Sequence, residues 1–232
     1  MNKVNRVLLI IVIILAVLTA IYWFKPDIIT SLSALNPFVS EEMVSNSAVN
    51  QPIISNTNKR RGLADSKYNE RRSECETAVE LLSKDQPIEN LSVLSFGKFM
   101  DMKNLIKDET VFRRAKHVIS ENNRVLKAID ALKNNRLEEF GQLMNESHDS
   151  LRDDYEVTGN ELDALVEEAR KVNGVLGSRM TGAGFGGCTV SLVSEEAVED
   201  FKIKVGKNYF DRTGLVADFY VAEVGDGAKI LD

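Results

Sequence analysis

The stretch GSRMTGAGFGGCTVSLV, Gly177 to Val193, holds five glycines in its first eleven residues and then alternates β-branched and apolar positions. Glycine admits positive φ and lets a backbone come close to a ligand. A glycine-rich loop beside a strand therefore has the makings of a phosphate cradle. GAGFGG is not a P-loop, because no Lys-Ser/Thr follows it. It is not a dinucleotide fingerprint either, because no G-x-G-x-x-G sits between a strand and a helix. A tight structural turn is the competing reading; Arg179 and Thr181, both able to donate to an anion, favour phosphate proximity.

The stretch NTNKRRGLADSKYNERRSECE, Asn56 to Glu76, gathers Lys59, Arg60, Arg61, Arg71 and Arg72 around Tyr68. It reads either as a solvated helix start with Asp65 or Ser66 as N-cap, or as a substrate lip in which Tyr68 contacts a ligand. Elsewhere chemistry is sparse. His117 and His148 stand alone, Cys75 and Cys188 are the only cysteines, and no CxxC or Cys/His cluster exists, so no metal site is expected. Two free thiols fit better than one disulfide. The net charge of −6 argues against nucleic acid as a partner, since neutralising phosphates needs a basic face.

The elements that must position these residues follow from periodicity. Thr110 to Leu132 carries Phe112, Ala115, Ile119, Leu126 and Ile129 at helical steps. Arg136 to Leu151 and Asn160 to Val172 repeat the pattern. Tyr68 to Ser83 and Glu195 to Asp211 read as two further helices. PIIS, CTVSLV and ADFYVAEV read as strands, the last before a GDG turn. Helices and strands mix without regular βαβ alternation, which predicts an α+β fold.

The amino-terminal part differs. Val7 to Phe24 has no charge over 18 residues. As a helix it would span about 27 Å, close to the ~30 Å hydrocarbon core. Tyr22 and Trp23 at one end suit an interface. Residues 1–25 are therefore expected to form a retained membrane anchor contacting the lipid bilayer through 7–24; a cleaved signal peptide is the alternative. Residues 26–52 read as a flexible linker. The three positive and three negative charges up to Pro52 cancel, so the whole −6 falls on the globular remainder, 53–232. Lys3 and Arg6 outweigh Lys25 and favour a cytoplasmic amino terminus with the domain outside.

Four segments in order resemble the galactokinases of the GHMP small-molecule kinase family: NTNKRRGLADSKYNERRSECE, HVISENNRVLKAIDAL, GSRMTGAGFGGCTVSLV and ADFYVAEVGDGAKIL. The resemblance covers about four-fifths of the chain, from Ile53 to Asp232. It implies a GHMP kinase C-terminal domain with ferredoxin-like helices packed on a small antiparallel sheet. It also implies transfer of the γ-phosphoryl group of Mg²⁺-ATP to the anomeric hydroxyl of galactose. Carried over by position, Tyr68 matches the tyrosine beside the bound sugar. Gly182, Ala183, Gly184, Phe185, Gly186 and Gly187 match the third-motif loop that closes the active site. Arg179 receives no catalytic role.

The family's galactose signature, its P-x-G-x-G-L-S-S-S loop and its catalytic aspartate have no counterpart in this sequence. Asp65, Asp153 and Asp154 do not occupy the aspartate's position, so no catalytic residue is assigned. The expectation is one wall of a kinase site, inactive alone. A membrane-tethered binding module and one half of a split kinase, completed by a separate N-terminal half, are the alternatives. The need for ATP favours a cytoplasmic domain, against the local charge bias.

Overall fold

The computed structural model describes residues 50–59 and 64–222, the side chains of 64–66 excepted. The anchor expected over 7–24, almost all of the linker and the GDG turn lie outside these residues. Among the described residues no helix is long and apolar enough to cross a membrane.

Strand β1 (Asn50–Asn56) leads to helix α1 (Ala64–Leu82), then α2 (Phe96–Asp101), α3 (Glu109–Lys133), α4 (Leu137–Asp153) and α5 (Asn160–Ala169). A hairpin of β2 (Val175–Thr181) and β3 (Cys188–Ser194) follows, then α6 (Val198–Thr213) and β4 (Asp218–Val221). The sheet order is β2-β3-β1-β4, with every neighbouring pair antiparallel. Strands and helical blocks thus run β-α-β-β-α-β, the split βαβ arrangement of ferredoxin-like folds, as expected. Three details differ. Strand β1 starts at Asn50, inside the stretch read as linker. Asp65 and Ser66 fall within α1, so neither is its N-cap. Helix α2 and strand β2 were not foreseen.

Local chemistry explains the boundaries. The Asp108 carboxylate accepts from the amides of Thr110 and Val111 at 2.8 and 3.0 Å and so caps α3. Gly214, at φ 72°, closes α6 in the left-handed conformation that suits glycine. Along β3 the pleat divides labour. Val190 and Leu192 meet Ala128, Leu132, Phe140 and Met144 of α3 and α4. Val193 instead joins Ile53, Leu165, Phe201 and Tyr209, against α5 and α6.

Helix α4 lies on β2 with backbone against backbone. A Cβ at Gly177 would sit 2.2 Å from the Gly141 carbonyl oxygen, and one at Gly141 would sit 2.2 Å from the Leu176 carbonyl oxygen. This approach lets α4 satisfy the outer edge of β2, which has no strand beyond it. Asn145 Oδ1 accepts from the Ser178 amide at 3.0 Å, and His148 Nδ1 accepts from the Met180 amide at 3.1 Å. Arg170 adds a donor to the Ser178 carbonyl at 3.3 Å. Because Nδ1 accepts, the neutral His148 ring carries its proton on Nε2, which faces Asp163 Oδ1 at 3.2 Å.

A second histidine is buried between α3 and α4. The Ser150 hydroxyl donates to Asp154 Oδ2 at 3.0 Å and lies 3.0 Å from His117 Nδ1, so Nδ1–H donates to it. The ring stacks on Tyr155 at 4.5 Å. Burial keeps His117 neutral and pushes its pKa down from 6.5 to about 4.

Two outcomes are expected. Gly177→Ala should destabilise the domain by about 1–3 kcal/mol or more, because neither backbone can yield to the new methyl; an unchanged urea midpoint would contradict the contact. The second concerns acid. The unfolded chain takes up a proton at His117 near 6.5 that the folded chain refuses until about 4. Stability is therefore intact above that window and falls as pH drops through it. His117→Gln should lose less of its urea midpoint than the parent between the two pH values, and parallel curves would count against a buried neutral ring.

Candidate functional site

The loop from Gly182 to Gly187 joins β2 to β3. Gly182, Gly184, Phe185, Gly186 and Gly187 all have positive φ, at 86°, 81°, 58°, 121° and 88°. Gly184 is required twice over, since a Cβ there would also meet the Val157 carbonyl oxygen at 2.0 Å. Phe185 is not a glycine, and its conformation is sustained by anchoring on both sides. Its amide donates to that same Val157 oxygen at 2.8 Å. Its ring packs on Leu151, Val157, Leu162 and Met180. At the far end, the Gly187 carbonyl accepts from the amide and hydroxyl of Thr57 at 2.9 and 2.8 Å. Lys59 lies beside Gly186 and pairs with Glu161 at 2.6 Å. Gly182 and Ala183 remain exposed at the tip. A Cβ at Gly182 would meet nothing within 4 Å, and successive backbone N–H groups in such a turn are a known way to receive an anion.

The support of this loop is the connection between α4 and α5. Glu156 sits there at φ 55°, an unusual angle for a residue with a side chain. Arg113 and Arg114 hold its carboxylate at 2.5 and 2.6 Å. Those hydrogen bonds and charges keep its pKa at about 2, well below the usual carboxylate range. Arg114 also donates to the Asp154 carbonyl at 2.7 Å and pairs with Glu74 at 2.8 Å. Arg71 donates to the carbonyls of Tyr155 and Glu156 at 2.7 and 3.4 Å.

Tyr68 lies on α1, half-buried, one turn ahead of Arg71. Helix α1 and the glycine loop thus grip one short connection, residues 155–157, from two sides. The basic cluster around Tyr68 divides. Arg71 is buried in a structural network, Arg72 is exposed and pairs with Glu76 at 2.8 Å, and Lys59 belongs to the loop. Arg60 and Arg61 lie outside the described residues.

Arg179 departs from the reading that made it an anion donor. It is turned inward, only 13% exposed, with Nη1 at 3.5 Å from Glu121. Burial raises the Glu121 pKa, but the charges of Arg179 and Arg124 and the hydrogen bond from Ser147 outweigh it and leave the carboxyl below its ordinary value. Asp153 pairs with Arg152 at 2.8 Å, and Asp154 with Lys116 at 2.9 Å. Cys75 and Cys188 are free thiols. Burial pushes the Cys75 pKa up to about 11, which removes it as a nucleophile. Among the described residues no group of three or more His, Cys, Asp or Glu could hold a metal ion. The Arg113, Arg114 and Glu156 clamp went unseen in the sequence, where its members are scattered and carry no motif.

Residues 128–211 match the family model described as GHMP kinases C terminal. The galactokinase of Clostridium acetobutylicum is 55% identical over 180 residues, which cover 78% of this chain and 46% of that protein. That of Clostridium perfringens is 54% identical over 196 residues, covering 84% and 51%. Among solved structures, Lactococcus lactis galactokinase complexed with galactose superimposes with a TM-score of 0.75 at 48% identity, covering 78% of this chain and 47% of that one. The chain therefore spans about half the length of the relatives it matches. Residues 128–211 are thus similar to the C-terminal part of GHMP kinases, and over the longer matched stretches the sequence is similar to the galactokinases.

Proposed function

We propose that this chain supplies the C-terminal wall of a galactokinase-like site, for ATP-dependent phosphorylation of galactose at its anomeric hydroxyl. The observation that carries the reading is the glycine loop. It stands mostly at positive φ, docked on Val157 and open at Gly182 and Ala183, in a chain 54% and 55% identical to the matched parts of two clostridial galactokinases. Phosphoryl transfer asks a protein mainly for positioning and charge neutralisation. The amides at the loop tip fit a phosphate. The magnesium ion that accompanies ATP supplies the remaining neutralisation when bound. Tyr68 serves the sugar side, its ring against the sugar and its hydroxyl hydrogen-bonding.

The domain's own residues include no galactose signature, no second phosphate-gripping loop and no counterpart of the family's catalytic aspartate. One wall positions, but without charge partners it gives little differential stabilisation of the transition state. The chain alone is therefore inactive and works with the N-terminal half of such a kinase. The anchor read over 7–24 would hold the domain at a membrane, with ATP supply placing it on the cytoplasmic side.

The chain incubated with Mg²⁺-ATP and galactose should give no sugar phosphate. Adding a separately made N-terminal half of a related galactokinase should restore turnover. Turnover by the chain alone would refute its incompetence, and none in the mixture would refute the kinase reading. In the active mixture, Tyr68→Phe should weaken galactose use by about 0.5–1.5 kcal/mol, one hydrogen bond to a neutral partner, and spare ATP affinity. Unchanged galactose kinetics would remove Tyr68 from the sugar side.

A further inference from the structure

We propose that Glu156 and Arg114 are positioning residues that hold the glycine loop docked, and that they set its grip on the nucleotide rather than on the sugar. The second half of this inference rests on the kinase reading above; the first half stands on geometry alone.

The chain of contacts is short and continuous. The loop's docking point is one atom, the Val157 carbonyl oxygen, which accepts from the Phe185 amide at 2.8 Å and would meet a Cβ at Gly184 at 2.0 Å. The position of that carbonyl depends on Val157's own ψ and on the turn at Glu156, which sets how the chain enters Val157. Glu156 stands at φ 55°, where a side chain is disfavoured and where glycine, asparagine or aspartate would be usual. Something must hold it there. Arg113 and Arg114 do so through its carboxylate, at 2.5 and 2.6 Å, while Arg71 reaches its carbonyl at 3.4 Å.

Arg114 is itself immobile. Its side chain is 2% exposed, and its guanidinium also engages Glu74 and the Asp154 carbonyl, at 2.8 and 2.7 Å. A buried, multiply bonded guanidinium makes a stiff reference point. The Glu156 side chain is 43% exposed and absent from the core clusters, and Arg114 keeps Glu74 and the Asp154 carbonyl when Glu156 changes, so its buried charge stays partnered. The arrangement is a lever: the fixed arginine pulls the carboxylate, the carboxylate sets the left-handed turn, and the turn aims the carbonyl at the loop.

Charge and conformation can be separated. Glu156→Gln keeps the shape and removes the charge. Glu156→Gly removes the side chain but makes the left-handed turn effortless. In the chain as it stands, amide hydrogen exchange of Phe185 reads the docking directly. Glu156→Gln should speed that exchange at least about tenfold, one lost charge-assisted contact of roughly 1.5 kcal/mol, while amides of β1 and β3 keep their rates. Glu156→Gly should not restore the parent rate, because the pull of Arg114 is gone. An unchanged Phe185 rate in Glu156→Gln, full restoration in Glu156→Gly, or equal acceleration in β1 and β3 would each overturn the ionic lever. In the complemented mixture, Glu156→Gln should raise KM for ATP severalfold and leave KM for galactose alone. A rise in both, or in neither, overturns the link to the nucleotide. A parent mixture without turnover rejects the kinase reading, and with it the link to the nucleotide, and leaves the exchange rates to decide the lever.

Discussion

The contact between Gly141 and Gly177 sets the rest of the site. Two backbones meet where any side chain would collide, so helix α4 lies directly on strand β2. At that distance short side chains of α4 can reach the strand's outer amides. Asn145 and His148, one helical turn apart, answer Ser178 and Met180, two strand positions apart. An outer edge that would otherwise expose polar backbone is thereby completed without a fifth strand. The hydroxyl pair of Ser178 and Ser191, at 2.8 Å, ties the same strand to β3 from within. Strand β2 is thus fixed along both edges, and the glycine loop leaves it at a defined place.

The loop begins from that fixed strand and returns to a second fixed point, the connection after α4. Helix α4 therefore controls both anchors, the strand through its side chains and the connection by ending at Asp153. The cluster of Leu151, Val157, Leu162 and Met180 beneath Phe185 draws on α4, the connection, α5 and β2. A loop rich in glycine has much conformational entropy to lose. Here most of that cost is met in the folding of the domain, and only Gly182 and Ala183 remain exposed.

What could be read in the sequence divides along physical lines. The long helices were legible because their apolar residues recur at helical steps and their burial follows from amphipathicity alone. Strand β3 was legible by alternation. Strand β2 was not: Gly177 lowers strand propensity, and the reason for that glycine is Gly141, 36 residues earlier, which a local pattern cannot show. The same holds for Arg179. Its type suggests an anion donor, and only the neighbouring Glu121, brought by α3, turns it inward. The tight geometry of the glycine loop was legible in its glycines, whereas the sugar-side assignment of Tyr68 rests on resemblance to a family and on no local pattern. The arginine clamp on Glu156 was legible by neither route, since its members belong to α1, α3 and the α4–α5 connection, and a positive φ at glutamate leaves no trace in composition.

The sheet order carries a consequence for how the chain comes to be folded. Strand β1 is central, and both of its neighbours lie at the other end of the sequence: Thr57 bonds to Gly187, 130 residues on, and Asn58 bonds to Asp218, 160 residues on. Closing loops of that length costs entropy before any contact rewards it, and pairings so remote slow folding. During synthesis β1 leaves the ribosome before the other three strands. Five helices must follow before β3 exists to pair with it. At the usual pace of about 5–20 residues per second, that interval lasts many seconds. Throughout it, β1 has two open edges, and Ile53, fully buried in the finished domain, has no core to enter.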